Sequence, residues 1–184
     1  MATILNLTKK AKEIYKANKA KGFWDGIKDP KERIPQSIAL IHSEVSEMLE
    51  AHREGKFVRI GDTTKVPGDA DFKEWFKENI KSTVEDEYAD ILIRTLDLAG
   101  ALNVPLEINT SIKAEYFDFY DFVNYVHHLI NSIYINPKDA TVPLQALVRI
   151  LIQSSEYLNI PLYTHMDMKL EYNKLRAYKH GKKY

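Results

Sequence analysis

The chain has 184 residues with 26 basic and 26 acidic side chains, so its formal net charge is zero. That balance argues against nucleic acid or an anionic membrane surface as the main partner. The lack of cysteine excludes a disulfide framework and a zinc–thiolate centre. Apolar residues make up 45% of the chain, enough for a proper core. No apolar run reaches the roughly 18 residues of a membrane span, and the start has no signal-peptide core, so a soluble cytoplasmic protein is expected.

Helical periodicity runs through most of the sequence, and no segment reads as a strand. Residues 3–20 form a first amphipathic stretch on Ile4, Leu7, Ala11, Ile14 and Tyr15, closed by Gly22. A loop with Phe23, Trp24, Gly26 and Pro30 follows. Ile34, Ile38, Ile41, Val45 and Met48 predict a helix over 34–54, stopped by Gly55. Residues 56–82, with Gly61, Pro67 and Gly68, read as irregular, with a short helix at 71–80. Val84, Tyr88, Ile91, Thr95, Leu98 and Leu102 predict a helix over 83–102, ended by Asn103-Val104-Pro105. Further helices are expected at 107–135, 141–158 and 163–179.

The second half echoes the first. Leu102/Leu158, Asn103/Asn159, Pro105/Pro161, Leu106/Leu162, Lys113/Lys169, Glu115/Glu171 and Tyr116/Tyr172 coincide at a constant offset of 56. Duplication accounts for this better than chance, and predicts two related helical units packed as an internal pseudo-dimer. At that offset Glu87 maps to Pro143 and Asp90 to Ala146. The second unit has therefore lost the acids. Asp118 and Asp121, in its first helix, read as solvated.

Two acidic signatures dominate the first half: Glu44-Val45-Ser46-Glu47 and Glu87-Tyr88-Ala89-Asp90. Carboxylates three apart share one helix face. A single such pair is usually a solvated surface; two helices with the same spacing at the border of their apolar seams are not easily read that way. Packed antiparallel, the pairs meet at the edge of the core. Four acids there are costly unless a cation neutralises them, and oxygen ligands without sulfur suit Mg²⁺, with Mn²⁺ as the alternative. Other chemistries lack their residues. No histidine has Glu or Asp three positions before it, as a di-iron bundle needs, no Gly-x-x-x-x-Gly-Lys loop occurs, and no His-Asp dipeptide occurs.

Ile38–Ala51 followed by Glu85–Gly100 resembles the paired E-x-x-E and E-x-x-D motifs of the MazG-like, all-α nucleoside triphosphate pyrophosphohydrolases, a family that includes dimeric dUTPases and dCTPases. Lys21-Gly22-Phe23-Trp24 looks like the segment before the first acidic helix, and Lys169…Asn173…Arg176 followed by His180-Gly181 is similar to the closing K-x-x-x-N-x-x-R segment. The resemblance spans nearly the whole chain and implies an all-α fold. It implies cleavage of a (deoxy)nucleoside triphosphate between the α and β phosphates, in house-cleaning of nucleotide pools. By the same resemblance Glu44, Glu47, Glu87 and Asp90 would bind Mg²⁺, with one of the four available as base for the water.

One departure matters. The segment after the second acidic helix, Lys113–Tyr120, has Phe117 and Tyr120 where Asn and Arg are expected, and the intact version comes only after the acid-free unit. The expected division is residues 1–112 as the unit with the metal site and 113–184 as a degenerate unit that supplies Lys169, Asn173 and Arg176 to the triphosphate. A narrower dUTPase- or dCTPase-like enzyme is the first alternative. A catalytically inactive nucleotide-binding or oligomerisation module is the second, and a homodimer is open in either case. Trp24 and Phe23 are candidates to stack on a base. Arg94 reads as a phosphate contact or as an ion-pair partner of Glu87 or Asp90. His42 reads as structural, Lys65 and Lys81 as solvated, and the Phe117–Tyr125 aromatics as core. The basic tail at Lys179, Lys182 and Lys183 is a frayed end or a source of positive charge.

Overall fold

The computed structural model describes residues 4–58, 66–111, 118–135, 139–181 and 183. Gly61, Lys65, Lys182, the Lys113–Phe117 stretch and the 112/113 boundary lie outside the described residues. Among the described residues seven α-helices carry the chain: α1 (Thr8–Ala20), α2 (Ile34–Arg53), α3 (Asp69–Asn79), α4 (Val84–Ala101), α5 (Phe119–Ile135), α6 (Thr141–Tyr157) and α7 (Leu162–Lys174). The protein is mostly helical, as its periodicity predicts. No described helix is long and apolar enough to cross a membrane.

Two short strands depart from the expectation of helix alone. β1 (Ile4–Asn6) pairs antiparallel with β2 (Glu107–Asn109), with Leu5 opposite Ile108. The pairing continues where the Leu7 N–H donates to the Leu106 carbonyl at 2.9 Å and the Leu106 N–H to Thr8 Oγ1 at 2.9 Å. Three residues are too few to display a two-residue period, so only the partner strand identifies them. The helices expected from residues 3 and 107 accordingly start at Thr8 and Phe119. The last expected helix stops at Lys174, and a 3₁₀ turn at Tyr178–Gly181 follows.

α4 is the central rod, with α1, α2, α6 and α7 packed around it. A Cβ on Gly100 would lie 2.3 Å from the Ala11 carbonyl oxygen, so glycine lets α1 and α4 touch backbone to backbone. α5 packs on α2 and α6, and residues from both halves fill one continuous apolar core. The packed helix pairs α2 with α4 and α5 with α6 form two hairpins, and Tyr88 joins them: its ring stacks on Phe122 with centroids 5.5 Å apart, and its hydroxyl donates to the Leu151 carbonyl at 2.7 Å. A buried phenol needs such an acceptor, and burial holds its pKa well above the ordinary value. Phe122 is core as expected, whereas Tyr120 and Tyr125 are exposed. His42 of α2 stacks on His127 of α5.

The ends of α4 and α6 are built alike. Leu102 N–H bonds the Leu98 carbonyl, Asn103 that of Gly100, and Val104 that of Ala99. Fifty-six residues later Leu158 bonds Ser154, Asn159 bonds Glu156, and Ile160 bonds Ser155. Asn103 and Asn159 both have φ of 54°, a left-handed conformation that asparagine tolerates.

Candidate functional site

The acids are placed by two helix segments of different character. Thr83 caps α4 by accepting the Asp86 N–H, and Glu85, Asp86 and Glu87 fill the first turn, where the helix dipole favours negative charge. Glu85 accepts the Val58 N–H at 3.0 Å and ties down the chain after α2. Glu44 and Glu47 lie mid-way along α2 on the side facing α4, Glu44 only 4% exposed and Glu47 in solvent. Glu44, Glu47 and Glu87 bring one carboxylate oxygen each to within 4.8 Å of one another.

Their electrostatics follow from crowding. Burial pushes Glu87 up to about 9, helped by the charges of Asp86, Asp90 and Glu44. Glu44 is raised by burial and by Asp90, while Arg94 opposes the shift and Glu87 shares a hydrogen bond with it. Left to itself Glu87 keeps its proton at neutral pH. The set is three oxygen donors, two of them buried, with no sulfur or imidazole among them, which fits a hard divalent cation.

Asp90 faces another way. Lys169 of α7, 5% exposed, lies 2.8 Å from Asp90 and 2.7 Å from Asp86. Burial alone would lower the Lys169 pKa, but Asp90, Asp86 and Glu87 outweigh that and raise it, so the ammonium stays charged. Asp86 is pushed up by burial to about 6, against the pull of Lys169. The lysine expected to touch phosphate is thus held by two carboxylates beneath Phe76 and Tyr172, whose rings stack at 4.5 Å. Arg94 donates from Nε to Glu44 at 2.6 Å, an ion pair with the acid of α2 and not with either acid of its own helix.

A cleft opens beside this cluster. Asp90, Arg94 and Asp97 of α4, Arg33 and Ser37 at the start of α2, Asn18 and Phe23, and Asn173, Arg176 and His180 line it. Its enclosed part is about 70 Å³, room for roughly two waters. The tail forms one wall. Tyr178 bonds Asp25, Lys179 N–H bonds the Lys21 carbonyl, and Lys21 Nζ donates to the carbonyls of Lys174 and Arg176. Gly22, at φ of 85°, sits under the Tyr178 ring, where a side chain would collide.

The structure brings Asn173, Arg176 and Phe23 to the cleft. Trp24 is behind it, 3% exposed, with its Nε1 donating to both Asp97 oxygens at 3.2 Å and Arg33 over its ring. Burial lifts Asp97 to about 7. Sequence reasoning missed Asp86 and Arg33. Asp86 carries a weak signal, since it follows the cap residue Thr83 by three positions. Arg33 carries none, because a single basic residue before a helix says nothing of burial.

Family models, curated proteins and solved structures were all compared with this chain, and none of them matches it.

Proposed function

We propose that the protein is a divalent-metal-dependent nucleoside triphosphate pyrophosphohydrolase that releases pyrophosphate and a nucleoside monophosphate. The observation that carries this reading is the meeting of Glu44, Glu47 and Glu87 oxygens from two helices. Mg²⁺ or Mn²⁺ is the cation the donor set suits, and when bound it would polarise a phosphoryl oxygen and lower the pKa of a water. The residues of the chain do the rest. Glu44, Glu47 and Glu87 hold negative charge at one point, and Glu87 can keep or release a proton there. Asp90, fixed by Lys169, borders the cleft, and Arg94 links cluster to cleft through Glu44.

Asn173 and Arg176 meet the phosphates in this reading, Arg176 through its planar fork. Phe23 takes the base contact expected of the Lys21–Trp24 segment, and Trp24 supports it from behind. Lys169 acts on the substrate only through Asp90. The two-unit architecture belongs to the same proposal, supported by the matching ends of α4 and α6.

Pyrophosphate release from a panel of deoxynucleoside triphosphates with Mg²⁺ tests the reading. Turnover that disappears in Glu47→Gln and Asp90→Asn supports it, and wild-type rates in both variants overturn it. One observation favours a second reading, a nucleotide-binding module without turnover. Lys169 and Arg94 already neutralise two of the four acids. Thermal stabilisation by nucleotide without pyrophosphate release would select it.

A further inference from the structure

Arg33 closes the 3₁₀ turn Pro30–Arg33 and is 5% exposed, yet its Nε is buried without a hydrogen-bond partner. A guanidinium in such a place is ordinarily matched to a carboxylate, because an unpaired buried charge is strongly unfavourable. Asp97 is the acid whose field it feels most, but the Asp97 oxygens already accept from Trp24 and Asn18. Neighbouring Arg94 adds repulsion. The Trp24 ring, 4.8 Å from the guanidinium carbon, fixes the guanidinium without satisfying its donors.

The same side chain lines the cleft together with Arg94, Arg176 and His180. Arg94 is committed to Glu44 through Nε. Arg176 reaches only long contacts of 3.4 Å, to Asn173 and to the His180 carbonyl. A buried Nε without an acceptor on Arg33, beside an Arg176 held only by long contacts, makes this cleft fit for an anion.

We propose that Arg33, with Arg176 opposite, is the anion-binding group of this cleft and takes the oxygens of a phosphate group. The choice of phosphate rests on the pyrophosphohydrolase reading; the need for an anion does not. Fixed fork geometry suits a tetrahedral oxyanion, and burial of the site makes each charge-assisted bond stronger than it would be in water.

Calorimetric titration of inorganic pyrophosphate, and separately of a deoxynucleoside monophosphate, into the full-length protein in EDTA tests this without turnover. Wild type should bind at least one of them, and the tighter of the two identifies which phosphate the cleft receives. Arg33→Met should weaken that binding at least tenfold while keeping or raising the melting temperature, because it removes a buried charge that lacks a partner. Arg33→Lys should fold like wild type and bind weakly, as charge without the fork. No binding by wild type overturns the proposal, as does unchanged affinity in Arg33→Met or Arg33→Lys. A melting temperature that falls in Arg33→Met with affinity intact assigns Arg33 to the scaffold and overturns it too. Arg33-dependent binding in a protein that never releases pyrophosphate from a triphosphate would leave this site standing and remove the enzyme.

Discussion

α4 and α6 end in the same hydrogen-bond pattern, but their interiors are spent on different things. α4 buries Glu85, Asp86, Glu87 and Thr95, whereas α6 buries Leu144, Leu147, Val148, Ile150, Leu151 and Ile152 with only Gln153, Ser154 and Ser155 as polar company. α2 and α5 differ in the same sense: α2 carries Glu44 and Glu47, and α5 is apolar and aromatic on its buried face. One hairpin stabilises the fold by ordinary burial. The other gives up part of that gain to crowd carboxylates, and recovers it through Lys169 and Arg94. The buried carboxylates are thus concentrated on α2 and α4, and α5 and α6 pack against those helices through apolar side chains.

The sharpest way to break this comparison is to neutralise each side in turn. Glu44→Gln or Glu87→Gln should lower pyrophosphate release by roughly a hundredfold or more, while Ser132→Ala and Asn131→Ala on α5 should leave it near wild type. Equal losses from both hairpins in a steady-state assay would end the idea that the buried acids of α2 and α4 carry the activity.

Next in size is the buried lysine. Lys169→Met leaves Asp86 and Asp90 without their cation and should cost about 3–5 kcal/mol in denaturant unfolding. Adding Asp86→Asn to that variant should recover a large part of the loss. If Lys169→Met unfolds like wild type, the ion pairs contribute nothing and α7 is held by apolar packing, through the Phe72, Phe76 and Tyr172 cluster and through Leu162 and Met166 in the main core.

pH separates the hairpins more finely. Glu87 has a folded value of about 9 against an ordinary 4.5, so the folded state binds its proton more tightly. The associated stability is complete below about 4.5 and is lost as pH rises through about 9. Asp97, at about 7, acts in the same direction over a lower range. Without divalent cations the melting temperature should fall between pH 5 and pH 9, and Glu87→Gln should flatten that fall. A wild-type profile that rises with pH would contradict the crowding. Mg²⁺ should offset the loss at high pH, by about 2.7 kcal/mol at a hundred times its Kd, and a chelator should reverse it.

The smallest effect is expected at the exposed pair Glu50–Arg53 on α2, whose side chains are more than half in solvent. Glu50→Ala should change stability by no more than about 1 kcal/mol and turnover not at all.

Much of this was readable beforehand, and for local reasons. Ile34, Ile38, Ile41, Val45 and Met48 recur with the period of a helix, so α2 comes within a residue of its expected bounds. Glu44 and Glu87 stand beside those seams, and their burial follows from the same period. β1 and β2 were not readable, since each is only three residues long and exists through its partner. The two carboxylates around Lys169 and the burial of Arg33 leave no mark in the sequence, because a basic residue alone does not declare what surrounds it. Trp24 looked like a loop aromatic until Asp97 and Arg33 proved to enclose it.

The one-dimensional chain therefore determined where the helices run, which of their faces are apolar, and that two acid pairs share a spacing; these depend on neighbours within a turn. Only the tertiary structure decided which acids meet, that Lys169 settles on Asp90 and Asp86, and that Arg33, its Nε without an acceptor, lines one cleft with Arg176. Those contacts join positions far apart along the backbone, and their energies depend on burial and on opposing charge, which no local pattern encodes.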